Sequence, residues 1–376
     1  MIPIRERRSS SIMRVGILGA GQLGRMMALA GYPLGLRFTF LDRTEDTPGG
    51  QLAEIITGDF DDPVLLERLA AQCDCLTFDW ENVPVEPLKK LSGDTPILPP
   101  LAALETGQDR LAEKQLFAQL GIPTAGYAAV DSKAELAEAA GRLGYPCLLK
   151  TRRMGYDGKG QYMLRGEDDL GPAWEALGGT ALILEEFVNF DYEVSQVAAR
   201  STRGESCFYP LARNVHKGGI LHYSIAPWNA PTLETHAREY LDAMLEHFDY
   251  AGVLTVEFFV CGERLIANEM APRVHNSGHW TIEGAHTSQF ENHVRGILGL
   301  PLGDPSARGH SAMINLLGAM PELSALLDIQ GVHVHDYGKS PRPLRKIGHC
   351  TVVCDNQTMR DKKLQELLEL APTEID

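Results

Sequence analysis

Two apolar runs flank a glycine-rich, charged loop between residues 145 and 193, and this segment constrains the chain more than any other. The first run ends at Lys150, and the second ends at Glu185 and Glu186. A lysine at a strand end suits an α- or β-phosphate, and glycines let backbone amides approach a polyphosphate closely. Glutamates at the end of the second strand could hold an adenine amine and ribose hydroxyls. The segment therefore predicts a nucleotide site on two strands and a loop.

Composition limits the class of protein and its partners. The 376 residues suffice for two or three domains, and 44% hydrophobic with 23% charged residues is typical of a globular protein. A net charge of −15 argues against nucleic acid or an anionic membrane as the main partner. No apolar run reaches membrane-spanning length, and seven scattered cysteines do not indicate a disulfide framework. We expect a cytoplasmic enzyme that acts on small molecules.

The N-terminal part alternates strands and helices, a pattern typical of a doubly wound parallel sheet. Residues 1–12 are basic and serine-rich without an apolar core, so we expect a disordered tail and not a secretory signal. The predicted strands and helices that follow are strands 14–18, 36–41 and 75–78, and helices 24–31 and 64–72. Prolines at 96, 99 and 100 mark the exit. We therefore predict an N-terminal domain over residues 13–107.

Two further domains follow in an α/β architecture. For residues 108–192 the sequence predicts a small α+β lid with helices over 108–120 and 133–143. Residues 193–376 predict a larger domain with a mixed sheet and substrate-binding residues. Its predicted elements are strands 194–199, 207–211, 219–225, 254–260, 265–268, 311–316 and 349–353, and helices 232–249 and 287–298.

A glycine motif, Gly19-x-Gly21-x-x-Gly24, lies between the first strand and the first helix. This is the dinucleotide fingerprint, and Asp42 ends the next strand where a ribose-binding acid would lie. In physical terms the motif provides backbone amides at a helix N-terminus, which can bind any phosphate. Because the segment around Lys150 already predicts a nucleotide site, we expect a substrate phosphate here and not NAD.

Two carboxylates interrupt apolar strands, Glu257 in LTVEFF and Glu269 in LIANEM. An unpaired buried carboxylate costs several kcal/mol, so each of them needs a partner. A three-residue loop or a bulge in the intervening hairpin would place Glu257 opposite Glu269, where with Asn268 they would form an oxygen site for Mg²⁺. Two glutamates paired with arginines are the alternative, and the sequence leaves the strand register open.

Further cations and histidines follow this hairpin. Arg273 and His275 come directly after the second carboxylate and suit an anion with developing charge. The spacing of His275 and His279 lacks the glutamate of a zinc-protease motif, so we expect no zinc. Residues 337–346 carry four cations in an acidic chain, which is either a solvated basic loop or a phosphate clamp. Arg110, on the helix over 108–120, is either a solvated charge or a phosphate contact.

Six separated motifs carry a resemblance to a known family. They are GILGAGQLGRM, the DWEN run at Asp79, RRMGYDGKGQ, GVLTVEFF, NEMAPRVHNSGHWTIEGAHTSQFENH and YGK with RKIGH. Together they resemble the N5-carboxyaminoimidazole ribonucleotide synthetases, ATP-grasp ligases of purine biosynthesis, over residues 13 to about 354. The formate-dependent glycinamide ribonucleotide transformylase and biotin carboxylase share the fold but match these motifs less well.

The resemblance implies a role for individual residues. The residues implied to contact ATP are Arg110, Lys150, Gly155, Tyr156, Asp157, Gly158, Lys159, Gly160, Gln161, Glu185, Glu186, Phe187, Val188, Glu193, His216, Asn268 and Glu269. Glu257 and Glu269 are implied to hold Mg²⁺. The implied catalytic residues are Asp157, Lys159, Arg273 and His275. The residues implied to hold the ribonucleotide are Gln22, Leu23, Glu81, Tyr156, Asn276, Lys339, Arg345 and Lys346.

The resemblance also implies the reaction. ATP and bicarbonate would carboxylate the amine of 5-aminoimidazole ribonucleotide through carboxyphosphate, in a homodimer whose lid closes to exclude water. Met154 stands where the family usually has glycine, and Asp79 replaces a usual glutamate. The alternatives are another ATP-grasp ligase, a nucleotide-binding regulatory protein that has lost its chemistry, and a nicotinamide-dependent dehydrogenase.

Overall fold

The computed structural model describes residues 12–91, 93–155 and 160–371. The predicted tail, apart from Ile12, and the predicted site residues Tyr156, Asp157, Gly158 and Lys159 lie outside the described residues. Within the described ranges the strands form three sheets, one in each part of the chain for which the sequence predicts a domain. The predicted three-part α/β fold is confirmed.

The N-terminal sheet is parallel, as the alternation of strands and helices predicts. Its elements and those that lead out of it are β1 (Arg14–Leu18), α1 (Gln22–Gly31), β2 (Arg37–Asp42), β3 (Glu54–Thr57), α2 (Pro63–Gln72), β4 (Cys75–Phe78), α3 (Val85–Lys89), α4 (Leu101–Gly107) and α5 (Arg110–Gln119). The strand order is β3-β2-β1-β4. The carboxyl ends of β1, β2 and β4 therefore meet at one edge, where Asp42 and Asp79 follow or end their strands. The short strand β3 and the helices α3 and α4 were not predicted.

The lid is a small antiparallel sheet with two helices. Its elements are β5 (Tyr127–Val130), α6 (Lys133–Leu143), β6 (Cys147–Thr151), β7 (Gln161–Leu164), α7 (Leu170–Leu177) and β8 (Leu182–Glu186). The order is β5-β8-β6-β7. β6 pairs antiparallel with β8, with Lys150 opposite Ile183 and Leu148 opposite Glu185, so that Lys150 and Glu185 are diagonal neighbours on one face of the sheet. Ser132 caps α6 by accepting a hydrogen bond from the amide of Glu135 at 3.2 Å, which explains why the sequence locates this helix so well.

The third part is dominated by one large sheet. Its elements are β9 (Tyr192–Arg200), β10 (Ser206–Phe208), β11 (Ala212–Lys217), β12 (Ile220–Ala226), α8 (Pro231–His247), β13 (Gly252–Cys261), β14 (Arg264–Ala271), α9 (Thr281–Gly284), α10 (Gln289–Ile297), β15 (His310–Leu317), α11 (Leu323–Leu327), β16 (Val332–Asp336), β17 (Lys346–Cys354) and α12 (Gln357–Leu370). Within the described residues the order is β14-β13-β9-β11-β12-β15-β17-β16, with β10 paired to β9. The strands are antiparallel, and a parallel bridge from Thr124 to Ala267 makes the edge mixed.

One predicted strand of this sheet is wrong. The segment 207–211 is split between the end of β10 and the approach to β11, because Pro210 has no amide with which to continue a ladder. The strands β11 and β16 and the helices α11 and α12 were not predicted. None of the helices in the described ranges is both long and apolar enough to cross a bilayer.

The N-terminal and third parts share a hydrophobic core. Met26 and Phe38 belong to the same buried cluster as Tyr209 and Phe290. The buried His293 ring bridges this interface. Its Nδ1 accepts a hydrogen bond from the amide of Val253 at 3.1 Å, and its Nε2 lies 2.9 Å from Thr77 Oγ1. Since an amide can only donate, the neutral ring carries its proton on Nε2 and donates it to Thr77.

This histidine predicts a pH-dependent contribution to stability. Burial lowers the pKa of His293 to about 3, against about 6.5 in an unfolded chain. Between these values only the unfolded state binds the proton, so the free energy of unfolding falls as pH falls below about 6.5. We expect His293→Gln to make this slope shallower by up to about 1.4 kcal/mol per pH unit, measured by urea unfolding between pH 7 and pH 5. Replacement of the exposed His247 by Gln is the control, and equal slopes in wild type and His293→Gln would contradict the prediction.

Candidate active site

The hairpin of β13 and β14 positions two facing carboxylates. A two-residue turn at Gly262 and Glu263 pairs Cys261 with Arg264, and continuation of this register would pair Glu257 with Asn268. The register shifts by one residue beside Phe258, so that Glu257 instead pairs with Glu269. Asn268 is the extra residue of this β-bulge. The sequence left the register open between these outcomes, and the bulge decides it.

The two carboxylates form an environment that a divalent cation would complete. Burial, reinforced by the nearby Glu269 and Glu193 charges, raises the pKa of Glu257 to about 7 against the opposing effect of His216. Glu257 Oε1 is buried with no hydrogen-bond partner among the described residues. Glu269 lies 3.5 Å from Arg110 Nη1, so arginine pairing accounts for one carboxylate but not for the other. A buried acceptor beside a second carboxylate fits Mg²⁺, which prefers oxygen ligands.

The lid supplies a second set of predicted residues. Lys150 Nζ lies 2.9 Å from Glu185 Oε2, and both side chains are buried. The positive charges of Lys150 and Lys114 overcome burial and lower the pKa of Glu185 to about 2. Glu186 is exposed and accepts from the amide of Gly126 at 3.3 Å. The lysine and the glutamate that the sequence placed at the ends of two strands are therefore a buried ion pair across the antiparallel strands β6 and β8.

His216 on β11 and Glu193 on β9 lie in the large sheet, close to Glu257 and Glu269. His216 Nδ1 lies 2.8 Å from Glu193 Oε2. Although burial opposes it, this hydrogen bond and the charges of Glu257, Glu193 and Glu269 raise the pKa of His216 to about 9. His216 is thus a cation at neutral pH, and it offsets part of the negative charge of the carboxylate cluster. Phe187 and Val188 lie in the connection between β8 and β9, and the Phe187 ring is exposed.

The base of the glycine-rich loop is attached to α5. Asp109 caps this helix and accepts from Arg152 Nε at 3.0 Å and Nη2 at 2.7 Å. Arg110 Nη2 lies 3.4 Å from the carbonyl of Gly155. Met154 has φ of +62°, a left-handed conformation that glycine adopts more easily. Met154, which stands where the family usually has glycine, therefore holds a backbone conformation that is strained for a residue with a side chain. Beyond the undescribed residues, Gly160 and the exposed Gln161 lead into β7.

The first glycine motif binds carboxylates of the protein itself, and the substrate phosphate expected there stays a prediction. Asp79 Oδ2 accepts from the amides of Gly21 at 2.6 Å and Gly24 at 3.2 Å. Asp42 accepts from the amide of Ala20 at 2.7 Å, so this amide takes the place expected of a ribose hydroxyl. A Cβ on Gly19 would lie 1.7 Å from Asp79 Oδ1. The glycines are therefore explained by the close approach of a carboxylate to the start of α1.

The predicted ribonucleotide residues nevertheless come together beside this motif. Lys339 Nζ donates to Gln22 Oε1, which joins the basic segment to the N-terminal domain. Burial and the neighbouring Arg345 charge lower the pKa of Lys339 to about 8. Arg345 donates to the carbonyl of Ser340 at 3.0 Å, and Lys346 begins β17. The Leu23 side chain is buried in the core, so only its backbone at the start of α1 could reach a ligand.

Arg273, His275 and Asn276 follow β14 and lie between the two groups. Arg273 Nη2 lies 2.7 Å from Glu81 Oε2, which joins the third domain to the N-terminal one. His275 Nδ1 accepts from the amide of Ser277 at 3.3 Å, and burial holds the pKa of this ring well below its usual value. The neutral ring therefore carries its proton on Nε2 and can donate to an anion. The Asn276 amide exchanges hydrogen bonds with Asn315 at 2.9 and 2.7 Å.

A cavity of about 60 Å³ connects these groups. Arg110 and Glu269 line it from the metal side, and Glu81, Arg273 and His275 line it from the ribonucleotide side. Guanidinium groups on both sides suit a small anion that reacts with partners at either end. In the described part of the chain, no three or more His, Cys, Asp and Glu side chains are arranged to hold a metal, so the arrangement rests on two carboxylates.

Sequence reasoning missed three residues of the site. Asp79 was noted only as a departure from the family pattern, although it occupies the glycine motif. Glu113 and Lys114 are 2% and 1% exposed on α5, beside the buried Leu116 and Phe117. Two charged residues within the apolar stripe of a helix are the signal that could have found them, because charges there need specific partners.

Comparisons with known proteins assign three segments of the chain to known domain families. Family models match residues 12–108 as a ribonucleotide synthetase preATP-grasp domain, 115–290 as an ATP-grasp domain, and 311–363 as a phosphoribosylaminoimidazole carboxylase C-terminal domain. The N5-carboxyaminoimidazole ribonucleotide synthase of Pseudomonas aeruginosa is 47% identical over 94% of this chain and 98% of its own.

Solved structures agree over nearly the whole length. The synthetase of Thermus thermophilus has a TM-score of 0.92 and 50% identity, with 95% of this chain and 98% of that chain covered. The synthase of Aspergillus clavatus in complex with ADP and 5-aminoimidazole ribonucleotide has a TM-score of 0.90 and 31% identity, with 96% and 98% covered. From its sequence, its three sheets and these similarities, the chain belongs to the N5-carboxyaminoimidazole ribonucleotide synthase family of ATP-grasp ligases.

Proposed function

We propose that this chain uses ATP and bicarbonate to carboxylate the exocyclic amine of 5-aminoimidazole ribonucleotide, giving N5-carboxyaminoimidazole ribonucleotide, ADP and phosphate in purine biosynthesis. The observation that carries the proposal is the shared cavity, because Glu269 lines it on the metal side and the Arg273–Glu81 pair lines it on the other. Family membership supports the substrates, since the relative from Aspergillus clavatus was solved with ADP and this ribonucleotide.

ATP would lie between the lid and the large sheet, with its phosphates near Lys150 and the cavity. The glycine-rich loop, with the predicted Tyr156 to Lys159 outside the described residues, would close over the phosphates as part of a lid spanning 108–192. Lys150 would exchange its contact with Glu185 for a phosphate oxygen. Glu257 and Glu269 would hold Mg²⁺, which when bound neutralises phosphate charge and polarises the phosphoryl group.

The cavity would hold bicarbonate and its products. A bicarbonate oxygen attacks the γ-phosphorus and ADP leaves, giving carboxyphosphate; the amine nitrogen then attacks the carbon, or the CO₂ released from it, and phosphate leaves. Arg110 and Arg273 would stabilise the anionic intermediate, and the proton on His275 Nε2 would be donated to it. Enclosure by the lid would keep water from an intermediate that otherwise hydrolyses.

The ribonucleotide would bind where the N-terminal domain, residues 13–107, meets the domain from 193. Its phosphate would contact Lys339, Arg345 and Lys346 and the start of α1 at Gln22 and Leu23. Glu81 and Asn276 would contact the sugar or base. Since carboxylates already occupy the amides of the glycine motif, NAD has no support there. We further propose a cytoplasmic homodimer, for which a dimer mass by light scattering at micromolar concentration is the test.

The proposed reaction predicts which substrate stimulates ADP release. In the presence of Mg²⁺ and bicarbonate, ADP release should rise on addition of 5-aminoimidazole ribonucleotide, because the amine consumes the intermediate. Glycinamide ribonucleotide with formate is the matched control, as it tests the alternative ATP-grasp transformylase. Stimulation by the control alone, or indifference to both substrates, would contradict the proposal.

The metal site predicts a pH dependence. Because the pKa of Glu257 is about 7 without metal, a proton competes with the cation below that pH. We expect the Kd of Mn²⁺ with saturating ADP, measured by electron paramagnetic resonance, to rise about tenfold from pH 8 to pH 6. Glu257→Gln should bind Mn²⁺ more weakly and lose most of this dependence, with the titration of ADP itself common to both proteins. Wild-type affinity in this variant would exclude Glu257 as a ligand.

The phosphate clamp predicts a selective effect on KM. Charge-assisted contacts contribute roughly 1.5–3 kcal/mol, so Arg345→Ala should raise the KM for the ribonucleotide by about one to two orders of magnitude. The KM for ATP should change little, because its proposed site lies by Lys150. Arg342→Ala, in the same basic segment but exposed, is the control and should leave both constants near wild type. A variant at Arg345 that weakens ATP instead would overturn the assignment.

A further inference from the structure

The bulge in β14 needs partners outside its own ladder. A bulged residue is left out of the regular pairing, and buried backbone groups without partners cost free energy. Here the carbonyl of Asn268 accepts from Lys114 Nζ at 2.8 Å, and the carbonyl of Ala267 accepts from the same ammonium at 3.2 Å. Lys114 is 1% exposed, so this ammonium is committed to the interior.

The residue before Lys114 contacts the other side of the bulge. Glu113 Oε1 accepts from the amide of Met270 at 2.6 Å, and its side chain is 2% exposed. Two consecutive residues of α5 thus bond to backbone groups on both sides of Glu269, one as donor and one as acceptor.

Lys114 also connects the bulge to the lid. Its ammonium lies 3.8 Å from Glu185 Oε2, and that carboxylate is 2.9 Å from Lys150 Nζ. A buried ammonium is costly to desolvate, and well-packed apolar residues in its place often leave stability unchanged or improved. The buried charge of Lys114 is therefore best explained by the backbone carbonyls that it binds, because they belong to the strand that carries Glu269.

We propose that Lys114 and Glu113 are positioning residues that hold the β14 bulge and so keep Glu269 opposite Glu257. The proposal rests on the metal role proposed for these two carboxylates. Two competing roles are distinguishable: Lys114 could contact the nucleotide directly, or it could contribute to folding alone. A direct contact with the nucleotide predicts that mutation raises the Kd of ADP without metal. A role in folding alone predicts a lower Tm with an unchanged Kd of Mn²⁺.

The test compares metal binding with nucleotide binding in Lys114→Met, which keeps the length of the side chain and removes its charge. We expect the Kd of Mn²⁺ with saturating ADP, by electron paramagnetic resonance, to rise roughly tenfold to a hundredfold, because a charged hydrogen bond to the bulge is lost. The Kd of ADP without metal should change by less than about threefold. Tm is measured in parallel, and Arg360→Met, which removes another buried cation, should leave the Mn²⁺ affinity unchanged.

Glu113 gives an independent pair of variants, which also serves if Lys114→Met does not fold. Glu113→Gln retains an oxygen that can accept from Met270 and should bind Mn²⁺ nearly as wild type does. Glu113→Leu has no acceptor and should bind it at least tenfold more weakly.

Several results would overturn the proposal. One is an affinity for Mn²⁺ equal to that of the wild type in Lys114→Met or in Glu113→Leu. Another is a rise in the Kd of ADP without metal in Lys114→Met that is as large as the rise in the Kd of Mn²⁺. A wild type that binds Mn²⁺ but shows no ribonucleotide-stimulated ADP release would contradict the proposed reaction and leave this test intact.

Discussion

The rest of the site depends on two carboxylates that face each other across one hairpin. Like charges on opposed strand positions repel, and burial of Glu257 adds a desolvation cost. The protein limits this cost by raising the pKa of Glu257 to about 7 and by surrounding the pair with Arg110 and the cationic His216. The strain of like charges is a property expected of a cation site, because a bound divalent cation would remove it.

The same chemistry, a carboxylate held by positive partners, recurs in the resting lid. Glu185 keeps Lys150 in place, and Asp109 holds Arg152 at the base of the glycine-rich loop. These ion pairs keep cations oriented in the absence of a polyphosphate. A phosphate that entered would replace one acceptor by another, so that Lys150 would need little reorientation.

The first glycine motif shows how one pattern serves two purposes. Three glycines at the start of a helix permit close approach of an anion, and the structure satisfies this with the Asp79 carboxylate. Burial and the nearby Asp42 raise the pKa of Asp79 to about 6 although two amides oppose the shift. The motif therefore orients α1, whose first residue Gln22 contacts Lys339 from the opposite end of the chain.

The sequence by itself determined the parallel N-terminal sheet, the lid helix over 133–143 and the residue types of the site. The periodicity of apolar residues, helix caps and charges at strand ends are each encoded within a few neighbouring residues. They can therefore be recognised in the sequence without knowledge of the fold. Only the tertiary structure decided that Glu257 faces Glu269, since one bulge residue changes the register of a strand. The same holds for Asp79 at the glycine motif and for Lys114 beneath the bulge, whose partners lie 55 and 154 residues away along the chain. Contacts of that separation depend on how the domains pack, and no local pattern specifies them.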